Sequence, residues 1–421
     1  MYFRIWFLIF LKAILVRAEL KTVFEWKYIE FLWDSAEQRD SYIANGGYDH
    51  TRILPIDVDK DRGGRVFVTL FPNEGTPATL AIVSEEYSGQ RSGPYLYPYP
   101  DWSWHERGNC SGLTGVYRIA IDDCNKMYVL DSGYVGHQYK CPAQLVIFDL
   151  KTDEMIQRIP IPHDVSHNIR NESRLVTPVL ETRGPNCDLA NVFMADTVGS
   201  GLVILNNNTQ PPRLFRLEAE VFNVDEKYSM MSIANETFDL PDSLIGLVVS
   251  PQLFPKEGRD LYFRPLASLG LHSANTRVLE RSTFGQTIAY RSSPGMLPSQ
   301  ATVMGVTSYG TIIFGLTNEL ALGCWNRYRD MDPRNLGIIA QDAKRLQFIS
   351  GLKVLSENRT NGVEEVWILS NRLQKLWSGS MNYDDVNFRV MKSPVDDLIR
   401  DTICEPPQTV DPALVITTPY S

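Results

Sequence analysis

The sequence lacks the local signatures of most enzyme classes and has no excess of basic charge. Of its 421 residues, 41 are Lys or Arg and 50 are Asp or Glu, a net charge of −9. Proteins that grip a phosphate backbone carry a basic face, so no nucleic-acid partner is expected. No cysteine pair has C-x-x-C spacing, which argues against zinc knuckles and thioredoxin-type redox chemistry. G-x-S-x-G, P-loop, G-x-G-x-x-G and H-E-x-x-H are all missing, so no cofactor and no metal is expected. His163 and His167 have the i, i+4 spacing of a helical metal pair, but the preceding IPIP run (159–162) favours a solvent loop. Long stretches of helical period are few, and no Pro/Gly/Ser-rich linker divides the chain. With 43% hydrophobic residues the composition is that of an ordinary globular protein, which excludes disorder and multiple membrane spans.

What is present begins with a targeting segment. Residues 1–18 read MYFRIWFLIFLKAILVRA, with Arg4 before an apolar run and a small-residue cleavage site ending at Ala18. Lys12 and Arg17 interrupt the run, which is too short for a membrane span. The mature protein is therefore expected to be secreted and extracellular, and more acidic once Arg4, Lys12 and Arg17 are removed. Five Asn-x-Ser/Thr sequons, at Asn109, Asn171, Asn207, Asn235 and Asn358, fit that compartment. So does an even number of cysteines: Cys110, Cys124, Cys141, Cys187, Cys324 and Cys404.

Short runs rich in Val, Ile, Leu, Tyr and Phe, bounded by turn residues, give the strand signal along the chain. One unit recurs about every 60 residues. Its second strand reads VFVTL (66–70), MYVLD (127–131), VFMAD (192–196), LYFRP (261–265), TIIFG (311–315) and VWILS (366–370). Third strands are expected at 78–83, 144–149, 201–206, 276–280, 319–324 and 375–379, and first strands tend to open on glycine, as at Gly115, Gly246, Gly305 and Gly351. Six such units predict an all-β, six-bladed β-propeller, with short helices near the chain ends at 34–44 and 394–403. Residues 19–421 then form a single domain, its last fifteen or so residues a tail. The segment 23–33 is expected to supply a strand that completes the last blade and removes an open sheet edge.

The same segments carry a family likeness. FEWKYIEF (24–31), LYPYPDWSWH (96–105), CSGLTGVYRIAIDDCNKMYVLDSG (110–133), FMADTVGSGLVIL (193–205) and VWILSNRLQK (366–375) occur in the order seen in the yellow/major royal jelly protein family, which the chain resembles throughout its mature length. The resemblance implies a secreted six-bladed propeller acting in cuticle, eggshell or pigment physiology. Some members resemble dopachrome-converting enzymes of melanin chemistry, salivary members look like binders of biogenic amines, and the royal jelly proteins are nutritional. The expected function is the binding of a small amine or catechol-derived ligand at the channel mouth. A dopachrome-converting isomerase and a structural or nutritive protein without a ligand are the alternatives.

Propeller topology puts the start of each first strand and the turn after each second strand on one face. That face collects Thr114, Asp131, Ser132, Asp196, Thr197, Asn318, Ser350, Asn371 and Arg372. By resemblance to the amine-binding members, Asn371 and Leu373 would touch a ligand, with Ser350 supplying a hydroxyl. Leucine at 373 departs from the aromatic residue expected there and weakens stacking on a ligand ring. Asp131 and Asp196 are candidates for an ammonium partner, although Asp also caps turns by accepting backbone N–H bonds, the role favoured here. His105 and His137 are the histidines placed to move a proton. The aromatic tract 95–104 is expected to pack over a blade. On the same reasoning about faces, Cys124 pairs with Cys187, Cys110 with Cys141 and Cys324 with Cys404; Cys124–Cys141 is the competing pair closer in sequence.

Overall fold

Six four-stranded antiparallel sheets follow one another in a computed structural model that describes residues 20–87, 92–183, 187, 189–252, 258–283 and 286–407. Blade 1 is Pro55–Lys60, Val66–Leu70, Leu80–Tyr87 and Pro94–Pro98. Blade 2 is Val116–Ile121, Lys126–Asp131, Gln144–Asp149 and Glu154–Pro160. Blade 3 is Leu175–Arg183, Leu189–Asp196, Gly201–Asn206 and Arg213–Glu218. Blade 4 is Leu244–Val249, Asp260–Pro265, Leu271–Asn275 and Arg291–Ser293. Blade 5 is Ala301–Val306, Thr311–Leu316, Ala321–Asn326 and Leu336–Gln341. Blade 6 is Phe348–Leu355, Glu365–Asn371 and Phe388–Pro394, completed by Lys21–Trp26 from the start of the described chain. The first strand of every blade packs against those of its two neighbours, so the six form a closed ring about an axis. The protein is a six-bladed β-propeller. Among the described residues no helix is long and apolar enough to cross a membrane, and residues 1–19, with the targeting segment, lie outside them.

The second strand of each blade is buried on both faces, which is why these strands read as continuous apolar runs rather than alternating ones. In blade 2, Met127 and Val129 enter the cluster shared with blade 1, while Tyr128 and Leu130 enter the one shared with blade 3. Val192 and Met194 likewise face blade 2, and Phe193 and Ala195 face blade 4. Six such clusters fill the six interblade spaces. Glycine is needed where inner strands close up: a Cβ on Gly351 would lie 2.9 Å from the Asp57 Cα of the next blade.

Two expected third strands are corrected. Residues 276–280 belong to the helix Thr276–Arg281, capped by Asn275 accepting from the Arg277 N–H, and the third strand of blade 4 precedes it. Residues 375–379 fall at the helix Leu373–Ser378, built of good helix formers and ended by Gly379 at φ 71°. The third strand of blade 6 comes only after it. The segment 23–33 is a strand only as far as Trp26. The aromatic tract supplies the outer strand of blade 1 and then buries Tyr99 and Trp102, the latter stacked 4.5 Å from Trp33. The disulfides join Cys110 to Cys141, Cys124 to Cys187 and Cys324 to Cys404, the pairing favoured by the argument from faces.

Candidate functional site

On one face of the ring, inner strands and the turns after second strands enclose a cavity of about 680 Å3. The segment between blades 3 and 4 roofs it. There a two-stranded hairpin, Met230–Ile233 with Glu236–Asp239, reaches over the mouth to the helix Leu373–Ser378 of blade 6. Glu236 accepts from the hydroxyls of Ser378 and of Ser380 (2.7 Å) and lies 3.8 Å from Lys375 Nζ. Phe238 meets Trp377 edge-on at 5.4 Å, and Met231 and Ile233 are fully buried in the core. The roof is therefore packed in place, and it brings Leu240 and Asp242 to the cavity wall.

The two sides of the cavity differ. Leu54, Ile56, Phe348, Leu373 and Trp377, from blades 1 and 6, make it apolar. Tyr117, Arg174, Thr197 and Asp242, from blades 2 and 3 and the roof, make it polar, and Arg118 closes the bottom. Among the described residues, Tyr117 Oη, Arg118 Nε, Arg174 Nε and Thr197 Oγ1 are buried without a hydrogen-bond partner. Burial pushes the Asp242 carboxyl up to about 6 against the opposing pull of Arg174 and Arg118, and pushes the Tyr117 phenol up to about 12.

Arg118 crosses the axis. It donates to Thr177 Oγ1 (2.6 Å), the Ser350 carbonyl (3.1 Å) and the Thr302 carbonyl (3.2 Å), tying blade 2 to blades 3, 6 and 5. Beyond it lies a second chamber of about 360 Å3, which Arg118 also lines, so its side chain partitions the channel. There Asp57 pairs with Lys353 at 2.8 Å and Asp59 with Arg359.

Of the residues singled out from sequence, Ser350, Asn371 and Leu373 line the roofed cavity, and so does Thr197. Asn371 has both its donors taken: it donates to the Pro55 carbonyl (2.8 Å) and Ser350 Oγ (2.9 Å) and accepts from the Leu373 N–H (3.0 Å). Asp131 does not reach the cavity. It is fully buried and accepts from the N–H groups of Thr114, Gly115 and Gly133 and from Gln144 Nε2. Asp196 is likewise buried, accepting from the Arg174 and Gly199 N–H groups and from Arg216 Nη1 at 2.9 Å. Both are turn-capping groups because a carboxylate satisfies several converging N–H donors at once. Thr114 lines a separate cavity of about 390 Å3, together with His105. Asn318 is exposed, and Arg372 is buried against Asn387.

His105 Nε2 donates to the Tyr99 carbonyl at 3.0 Å, and burial lowers its pKa to about 4, so it stays neutral. His137 is exposed at the rim of the roofed cavity. His163 and His167 are not in a solvent loop. Exposed His163 opens a one-turn helix that buried His167 caps, their rings stacked at 4.0 Å, and both His167 nitrogens are engaged by Ser166 and Tyr134. Among the described residues the group spaced closely enough for a metal ion is Asp122, Cys124 and Cys187, whose sulfurs are bonded to each other. Asn171, Asn235 and Asn358 are exposed and Asn109 half-buried, whereas half-buried Asn207 donates its side-chain amide to the Ala190 carbonyl at 2.6 Å.

Sequence reasoning missed Tyr117, Arg118, Arg174 and Asp242. A signal for one was present: Arg118 is the charged residue inside the otherwise apolar strand VYRIAI. A charge in a central strand has to face a polar space or a partner.

The family model described as major royal jelly protein matches residues 114–404. Major royal jelly protein 9 of Apis mellifera is 36% identical over 428 residues, covering 97% of this chain and 98% of the relative. Major royal jelly protein 2 of the same species is 36% identical over 397 residues, covering 91% and 85%. Among solved structures, an alpha-L-arabinanase of Penicillium chrysogenum is 11% identical with a TM-score of 0.49, covering 90% of this chain and 99% of its own, too distant to bear on activity. The chain belongs to the major royal jelly protein family.

Proposed function

We propose that this protein is secreted and binds a small aromatic amine or catechol derivative in the roofed cavity. One observation carries the reading: four unpartnered polar atoms and a carboxylate with a raised pKa face an apolar wall across one enclosed space. Its volume falls in the range of small-molecule sites, which pair apolar walls with a few convergent polar groups. Asp242 is the counter-charge for an ammonium. The aromatic face missing at Leu373 is supplied by Trp377, one turn further along the same side of the helix. Three disulfides fit an oxidising compartment, and cuticle, eggshell or pigment chemistry is the setting in which such a ligand would be met.

The test is calorimetric titration of the purified protein with dopamine and serotonin. Saturable binding to one site is expected, weakened about tenfold in Trp377→Ala as the ring contact is lost. Flat titrations with both amines would sink the reading.

A further inference from the structure

The polar wall has a composition of its own. Tyr117 and Thr197 each bring a hydroxyl, and Arg174 a guanidinium of which one terminal nitrogen donates to the Gly136 carbonyl at 2.9 Å. Tyr117 Oη, Thr197 Oγ1 and Arg174 Nε have no partner, and Tyr117 and Thr197 are 4% and 2% exposed. These three residues lie together. The Thr197 N–H bonds the Arg174 carbonyl at 3.0 Å, and Tyr117 feels the charges of both Arg174 and Asp242.

The wall is thus rich in donors and poor in acceptors. No carboxylate lies within ion-pair distance of Arg174 or Arg118 among the described residues; Asp196, next in sequence to Thr197, is already paired with Arg216, and Asp57, beneath Arg118, with Lys353. Asp239 stands exposed at the rim. Arg118 also feels Asp57 from the chamber below, and half-buried Asp242 is the acid that both Arg118 and Arg174 act on within the roofed cavity. Buried cations without a counter-ion are costly, and buried donors without acceptors add to that cost.

We infer that the occupant of the roofed cavity carries an oxyanion, in the simplest case a carboxylate, received by Arg174 with the hydroxyls of Tyr117 and Thr197. A carboxylate offers two oxygens with about four acceptor positions, enough for every free donor on this wall. If the same ligand bears an amine, the ammonium goes to Asp242, and the preferred class is an aromatic amino acid or aromatic acid rather than a simple amine. This rests on the binding role proposed for the cavity and makes it more specific.

Three probes with one catechol ring separate the two ideas under oxygen-free conditions: dopamine (amine only), L-DOPA (amine and carboxylate) and dihydrocaffeate (carboxylate only). L-DOPA should bind about tenfold or more tighter than dopamine, as a charge-assisted bidentate contact supplies, while dihydrocaffeate, which gains that contact and gives up the one to Asp242, should bind about as tightly as dopamine. Arg174→Met should abolish that preference, read within the variant as the ratio of L-DOPA to dopamine affinity, because Arg174 also acts on the charge of Asp242. Thr197→Val and Tyr117→Phe, each a smaller change, should narrow the preference about threefold and keep the test open if Arg174→Met fails to fold. Dopamine binding as tightly as L-DOPA, or tighter, overturns the inference, as does an Arg174→Met variant that weakens all three probes alike. Absence of binding by all three overturns the binding role as well.

Discussion

Replacing Asp242 with asparagine should make the empty protein more stable and its grip on an amine weaker. The carboxyl sits at about 6 in the folded chain, against an ordinary value of 3.8. Between those two values the native state binds more protons than the unfolded chain, so stability contributed by this group is full at low pH and falls as pH rises through about 6. Near neutral pH the whole penalty is present. A shift of about two pKa units corresponds to about 3 kcal/mol, and water entering the half-open mouth reduces this to about 1–2 kcal/mol. Asparagine keeps the shape and removes the charge. Asp242→Asn should therefore gain about 1–2 kcal/mol near pH 7 and nothing below about pH 4, where the native carboxyl is already protonated. Urea unfolding followed by tryptophan fluorescence, with disulfides intact, measures this at both pH values. Calorimetry with dopamine should show about tenfold weaker binding near pH 7 from loss of the counter-charge. A variant less stable at neutral pH, or one stabilised equally at both, would refute the assignment of Asp242 as a strained, ligand-facing acid.

Two further substitutions test the groups placed outside the cavity. Asp131→Asn turns one carboxylate oxygen, each of which accepts two bonds, into a donor facing donors. The expected cost is about 3–5 kcal/mol in urea unfolding, with dopamine affinity per folded molecule unchanged; lost affinity at intact stability would mean that Asp131 meets the ligand after all. Removing the bridge between Cys324 and Cys404, 80 residues apart, by Cys324→Ser with Cys404→Ser should cost about 4 kcal/mol, because it frees a long loop in the unfolded chain. A loss below about 1 kcal/mol in the same assay would rule out that entropic account.

The ring of blades was legible because burial on both faces leaves a simple mark, a short apolar run repeated at a steady interval. VFVTL at 66–70 is a strand over those same residues, as are 144–149 and 201–206. The pattern failed where a blade departs from its own repeat. Between the second and third strands of blade 6 the chain inserts the helix Leu373–Ser378, and an apolar periodicity of a few residues does not separate one helical turn from a short strand. Blade 4 hides its helix in the same way behind Asn275, whose capping role depends on where the strand stops.

The site was half legible, and the missing half follows from how a propeller is assembled. Ser350, Asn371 and Leu373 stand together in blade 6, so a single local stretch and its neighbour mark them. The opposing wall has no such stretch. Tyr117 comes from blade 2, Arg174 precedes the inner strand of blade 3, Thr197 follows that blade's second strand, and Asp242 ends the roof, a spacing of more than a hundred residues from first to last. Their convergence depends on closure of the ring and on the roof crossing to blade 6, neither of which leaves a periodic trace. Asp131 and Asp196 shared the right face and the right residue type, yet each stands directly before a turn whose N–H groups it must satisfy, and a buried carboxylate that accepts three or more bonds has little left for a ligand. Asp242 has no turn to cap in that way and no cation within ion-pair reach. An acid on this face is available to a ligand, then, in proportion to what its own backbone leaves unclaimed, and by that measure the polar groups left free lie on blades 2 and 3 and the roof, opposite the apolar wall of blades 1 and 6.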